Sequence, residues 1–400
     1  MAEVHPIGRS ATAASFVLGR KLDSIPFSAH HAMVIAVLAL VGFVEGYDLA
    51  ITGLLLVMAK APLHLTEADI RWLAVGSTFM ICVGGFMASA MSDHWSRKTV
   101  MQIGVVGTTF FTLLIPLVHS AEQLIIVRLL TGFAGGFAVS APFPIAAELM
   151  PAQHRRTYGA VYEMALAAAF TVQPFIAFLL ADNPLGFRLL ALPGGLAVTV
   201  VPVLIHFAIP ESPRWLLRKG QPQAAANIVN QIIRRAGSTA QPLTAAALGD
   251  NLPTAHEQLP PYWALFGRGQ LRWTTVGILS GVCAGTAGFL IHVLLPKALV
   301  DQGTAVTFSF GLSSLVYFAS IPGKGFTGFL MEIIGRRWTI AYALAGSLPG
   351  LFLMLVAHLA GQYATVVMVA GALITGFTVL SFGISQRCGR LSMLYRTTFL

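Results

Sequence analysis

Runs of about 20 mostly apolar residues recur along nearly the whole chain, and each is long enough to cross the hydrocarbon core of a bilayer as a helix. A backbone in lipid must satisfy its own hydrogen bonds, so only helices and closed barrels can span it. A barrel would be written in segments of about ten residues with alternating polarity, and these runs do not alternate. Their number also excludes a single membrane anchor. The chain therefore reads as an all-α, polytopic membrane helix bundle. Its charge supports this, because charged side chains make up 10% of the 400 residues, against about 25% in a globular chain.

Hydropathy, punctuated by charges and Pro/Gly clusters, places ten candidate membrane helices at 33–57, 70–91, 100–118, 123–147, 159–181, 188–208, 274–296, 306–330, 338–359 and 363–384. With a cytoplasmic amino terminus, 19 of the 25 Lys and Arg residues fall in cytoplasmic segments. Lys60, Arg71, Arg188 and Lys297 fall outside, and Arg128 and Lys324 fall within spans. Such an asymmetry fixes the orientation, and it makes the net charge of +9 a matter of topology facing anionic lipid. It is no nucleic-acid footprint.

The same reading divides the chain into a cytoplasmic tail (1–32), a six-helix bundle (33–208), a cytoplasmic linker (209–272), an incomplete four-helix bundle (273–384) and a second cytoplasmic tail (385–400). The first tail is no cleavable signal, since the apolar run from Met33 has full span length and no small-residue cleavage site. The linker predicts one or two short amphipathic helices at the membrane surface. Cys82, Cys283 and Cys388 are too scattered for a disulfide framework or a metal site.

Two loops repeat at equivalent places. Asp93-His-Trp-Ser-Arg97-Lys98 follows the second span and Glu332-Ile-Ile-Gly335-Arg336-Arg337 follows the eighth. Parallel repeats of this kind build secondary transporters, with the substrate site between the halves. The loops resemble the signature of the major facilitator superfamily, and the resemblance covers nearly the whole chain. The first copy departs from it, with Ser89 and Ser96 where glycines are usual. Arg128-Leu-Leu-Thr-Gly132-Phe-Ala-Gly-Gly136 is similar to that family's fourth-helix motif. Glu148 followed by Arg155, and Pro210-Glu211-Ser212-Pro213-Arg214-Trp215, resemble its sugar-porter-like branch. Glu45-Gly46-Tyr47-Asp48 resembles a motif of the aromatic-acid:proton symporters, with Glu45 where an aspartate is usual. The resemblance implies a twelve-helix fold, of which ten helices are visible. Residues 386–400 match neither an eleventh span nor the loop expected there, and read as a truncated or frameshifted end.

Glu45 and Asp48 lie three apart in mid-span and share one helix face. A charged carboxylate there costs at least about 2.5–3.5 kcal/mol against lipid, so both must face the bundle interior, where desolvation penalises the charged form. They are candidate proton carriers, or else a structural pair bonded to a neighbouring helix. Arg128 needs a partner; it is either an anion clamp and relay for the first-helix carboxylate, or a side chain snorkelling to the interface. Gln173 and His292 are candidate cavity residues or plain structural hydrogen bonders. Tyr47 and Tyr162 are candidates for stacking on an aromatic substrate or for core packing.

Asp93, Arg97, Glu148, Arg155, Glu211, Arg214, Glu332 and Arg336 fall at cytoplasmic helix ends. As surface charges each pair would contribute under about 1 kcal/mol. The resemblance instead implies a salt-bridge network that latches the cytoplasmic side.

The function expected is proton-coupled symport of a small organic acid, with aromatic acids included, by alternating access. A sugar-porter-like facilitator or sugar symporter is the neighbouring alternative, and a truncated non-transporting remnant the third. The expected partners are a small-molecule substrate, protons and the bilayer, for a monomer in a bacterial inner membrane. No cofactor and no metal are expected, and no nucleophile–base pair or phosphate loop suggests an enzyme.

Overall fold

The computed structural model describes residues 6–248 except 93, 152 and 153, short pieces between 267 and 279, and residues 290–360 and 369–375. Among these residues the architecture is helical throughout, without strands. Helix α1 spans Pro6–Asp23, α2 Ala29–Met58, α3 Glu67–Met91, α4 Arg97–Leu117, α5 Ala121–Leu149, α6 Arg155–Leu180 and α7 Gly186–Ala208. The linker contributes α8 (Pro213–Arg218) and α9 (Pro222–Arg235), and after it come α10 (Leu295–Asp301), α11 (Val306–Ile333) and α12 (Gly335–Ala360).

Seven of the described helices have the length and apolarity to cross a membrane, and they coincide with the first six expected spans and the eighth. The ninth expected span lies inside α12. Most of the seventh and tenth, 274–296 and 363–384, lies outside the described residues.

Lipid is as apolar as leucine, so hydrophobicity cannot decide which face of a membrane helix turns inward, and small residues decide instead. Helix α3 illustrates this: Trp72, Phe79 and Phe86, seven apart on one stripe, are exposed, while Ser77, Gly84 and Ala88 are buried. Helix α5 answers with Gly132 and Gly136, where an added Cβ would overlap the backbone carbonyls of Ser77 and Ile81. Pro142 restarts α5 after a break at Ala141, and Pro174, Pro322 and Pro349 lie within α6, α11 and α12.

The two repeated loops fold differently at their small residue. Gly335 sits at φ +76°, a turn that glycine adopts without a Cβ penalty. Ser96 has an extended backbone and instead caps α4, its hydroxyl accepting the Thr99 N–H. The serine thus replaces a conformational device with a hydrogen bond.

The linker helices correct one expectation. The apolar face of α9, with Ala225, Ala226, Val229, Ile232 and Ile233, shares a core with Ala14, Leu18 and Leu22 of α1 and with Leu243 and Leu248. Asn230 pins the return strand of chain by bonding both the N–H and the C=O of Leu243 at 2.7 and 2.9 Å. The face is buried in protein, and α1 joins the same core by packing on α8 and on Ala246–Leu248.

Chain from after the linker meets chain from before it along a seam. Helix α2 packs against the π-turn Leu290–Leu294 and α10, and α6 packs lengthwise against α11. The approach is close: a Cβ on Gly53 would lie 2.5 Å from the Val293 carbonyl oxygen.

Candidate functional site

Asp48 in mid-α2 and Arg128 in α5 form an ion pair, Nη1 to Oδ1, at 2.7 Å. Arg128 is 1% exposed. Its second terminal nitrogen donates to the Asp48 carbonyl at 3.1 Å and to the Thr52 hydroxyl at 2.6 Å, and Thr112 donates to the same Asp48 carboxylate at 3.2 Å. The guanidinium therefore does not snorkel, and its terminal nitrogens are engaged by the chain's own oxygens. The expected partner of Arg128 is Asp48 itself.

Glu45, one turn earlier, accepts a hydrogen bond from the Tyr162 hydroxyl of α6. Both carboxylates, with Thr108 and Gly135, line a cavity of about 20 Å³ inside the amino-terminal bundle, which is the space of one water molecule. Tyr47 points elsewhere, donating to the Leu190 carbonyl of α7 at 2.9 Å. The structure thus places Tyr47 and Tyr162 within the amino-terminal bundle, as hydrogen bonders.

A second constellation lies in the seam. Lys324 of α11 and Glu163 of α6 pair at 3.1 Å, with both side chains buried. Seven residues along each helix, Phe170 and Tyr317 hold the ring of His292, whose centroid is 3.8 Å from Phe170 and 4.8 Å from Tyr317. Gln173 follows one turn further on and is fully buried. Its amide lies beside the Tyr47 hydroxyl, whereas neither ring nitrogen of His292 finds a hydrogen-bond partner among the described residues.

Of this constellation the sequence offers His292 and Gln173 as candidate cavity residues or structural hydrogen bonders, and it singles out neither Glu163 nor Phe170 nor Tyr317. Lys324 was visible as a base within a span, and Glu163 is an acid within another. Charge at membrane depth was the available signal. Their pairing depends on the packing of α6 against α11, which no local pattern encodes.

At the linker end of the bundle, Arg97 pairs with Glu148. The other oxygen of Glu148 accepts from Ser212 at 2.5 Å, and Ser212 in turn accepts the Trp215 N–H as cap of α8. These contacts tie α4, α5 and the linker together, all on one side of the seam. Glu211 and Arg214 are half-buried beside them. Asp93 and the side chains of Arg155, Glu332 and Arg336 lie outside the described set, so the expected second latch does too. Among the described residues no cluster of His, Cys, Asp and Glu could hold a metal ion.

Comparison with known proteins places this geometry in context. The family model of the Major Facilitator Superfamily matches residues 38–393. The chain is similar to the niacin transporter NiaP of Acinetobacter baylyi, 23% identical over 91% of this chain and 80% of that protein. It is also similar to the 4-hydroxybenzoate transporter PcaK of the same species, 24% identical over 81% of this chain and 71% of that one. Among solved structures, the xylose transporter XylE from E. coli in a partially occluded inward-open conformation superposes with a TM-score of 0.71 at 17% identity, covering 92% of this chain and 88% of that one. XylE as a proton:xylose symporter bound to 6-bromo-6-deoxy-D-glucose gives 0.73 at 18% identity, covering 90% and 81%. At such identities the superposition speaks for the fold alone.

Proposed function

Because the chain belongs to the Major Facilitator Superfamily, we propose that this multi-pass membrane transporter is a secondary carrier that couples proton movement to the passage of a small organic acid. The observation that carries the reading is the Asp48–Arg128 pair, a carboxylate and a guanidinium held together out of water at mid-span. Ionisable residues at that depth are expensive, and in carriers they serve ion pathways and proton relays. A proton on Asp48 would cancel half of the pair, freeing Arg128 and loosening α2 from α5. Loss of the proton would restore the bond. A carboxylate with two such states can link protonation to helix movement, provided the states differ by only a few kcal/mol.

The acid is suggested by the relatives. Niacin and 4-hydroxybenzoate, the compounds for which two of them are named, are both small aromatic carboxylic acids. XylE, a proton:xylose symporter by description, keeps a neutral sugar as the competing substrate class. The basic loops support an orientation with both termini and the linker in the cytoplasm, and the bacterial relatives support an inner-membrane location.

The test is uptake by proteoliposomes under an imposed pH gradient, acid outside, with labelled 4-hydroxybenzoate, nicotinate and xylose. The proposal expects gradient-dependent accumulation of an acid and none of xylose. Xylose accumulation without acid uptake would replace it with the sugar reading.

A further inference from the structure

We propose that Lys324 anchors the carboxylate of the transported acid, that Glu163 is the resident carboxylate it displaces, and that the Phe170, His292 and Tyr317 rings receive the substrate's ring. This rests on the organic-acid reading and names the substrate site within it.

The ion pair itself is the first argument. A buried pair contributes little net stability relative to an apolar pair of similar volume, because desolvation offsets the Coulomb attraction. Holding α6 to α11 therefore does not require it. In a bilayer such charges face the bundle interior and mark the route of a substrate or ion. This pair sits in the seam, with its two members on opposite sides of the linker.

The second argument is spacing. Glu163 and Phe170 are seven residues apart on α6, as are Lys324 and Tyr317 on α11. Seven residues are close to two turns, so each pair shares a face with an axial offset of about 10 Å. One aromatic ring with its carboxylate, met by the lysine stem, covers that distance.

Unmet polar atoms supply the third argument. His292 is buried with both ring nitrogens lacking hydrogen-bond partners among the described residues. A buried polar group without a partner is destabilising. The seam thus presents a cation at one end and, at the other, aromatic walls with an unpartnered imidazole. A small aromatic carboxylic acid with a polar ring substituent has the complementary order.

Charge balance specifies the exchange. At rest, the Glu163 carboxylate and the Lys324 ammonium sum to zero. When a substrate anion arrives, one proton enters this pair in addition to the one on Asp48: the substrate carboxylate takes the ammonium and the displaced Glu163 takes the proton on an Oε. The sum is again zero, and the one covalent bond formed is that O–H, broken again on release. Glu163 meets Lys324 of α11, with His292 and Tyr317 two turns along the seam.

Equilibrium binding of 4-hydroxybenzoate, nicotinate and benzoate to the purified full chain at pH 6, 7 and 8 tests this. For the acid that binds, the affinity of the parent falls about tenfold per pH unit for each proton taken up with it. Glu163→Gln should lose one such tenfold step from the slope. Lys324→Gln should weaken binding at least tenfold at every pH. The double variant Glu163→Gln/Lys324→Gln, which leaves no unpaired charge, should elute as a folded protein and bind as poorly. Parent-like binding by the double variant, or an unchanged slope in Glu163→Gln, would overturn the site while leaving organic-acid transport standing. A parent that binds none of the three acids would remove the organic-acid reading itself.

Discussion

The Ser212 hydroxyl joins two structures at once, donating to the Glu148 carboxylate at 2.5 Å while accepting the Trp215 N–H at 3.1 Å. One side chain therefore starts the linker helix α8 and completes the shell of the carboxylate that holds Arg97. Ser212→Ala should lower the thermal midpoint of the purified protein through the lost cap, about 1 kcal/mol, and through the lost bond to Glu148. In a Glu148→Ala background the same change should cost less, since only the cap remains to be lost. Equal drops in the two backgrounds would reduce Ser212 to a cap.

Adjacent glycines of α5 should behave oppositely. An added methyl at Gly136 overlaps the backbone of α3, whereas at Gly135 its nearest neighbour is the Thr108 hydroxyl at 3.9 Å. Overpacking of this sort costs about 1–3 kcal/mol. Gly136→Ala should therefore reduce folded yield and thermal midpoint, and Gly135→Ala should match or exceed the parent in both. Equal tolerance at the two positions would contradict the close packing of α3 on α5.

Arg128→Ala leaves the Asp48 carboxylate buried with the Thr112 hydroxyl as its remaining side-chain hydrogen-bond partner among the described residues, and breaking a buried pair from one side costs about 3–5 kcal/mol. Adding Asp48→Asn removes the stranded charge. The double variant should melt above Arg128→Ala alone in a thermal-shift measurement, and a double variant that melts lower would show that the pair is not coupled.

The basic loops lead to a further expectation, that the linker faces the cytoplasm. A reporter fused after residue 240 should be accessible only from the inside of the cell. Accessibility from outside would reverse the orientation.

Much of this protein is legible in its residues, and the boundary is physical. The spans were readable because a helix must be apolar for the full bilayer thickness whatever it packs against, so α2 to α7 and α11 fall within a few residues of their expected limits. Asp48, Glu45 and Arg128 stood out because a charge in such a helix has no cheap alternative explanation. What a charge pairs with is a different matter. Asp48 and Arg128 are 80 residues apart, and Glu163 and Lys324 are 161 apart, so both pairings follow from helix packing that every apolar face would allow equally well. The same reason hid the roles of Phe170 and Tyr317, ordinary aromatics until α6 and α11 bring them to His292. The fate of the α9 apolar face is illegible for another reason: protein and lipid offer it similar surfaces, and the choice depends on how α1, α8 and the chain to Leu248 pack into one core.

Asp48 carries one of the coupled protons and must lose it for the empty carrier to return, and one comparison of two fluxes tests this. Asp48→Asn mimics the protonated carboxylate and cannot cycle. In proteoliposomes it should exchange labelled acid for unlabelled acid across the membrane at a rate near that of the parent, yet fail to accumulate the acid under an imposed pH gradient. Accumulation by Asp48→Asn equal to that of the parent would contradict the account and assign the proton to another group.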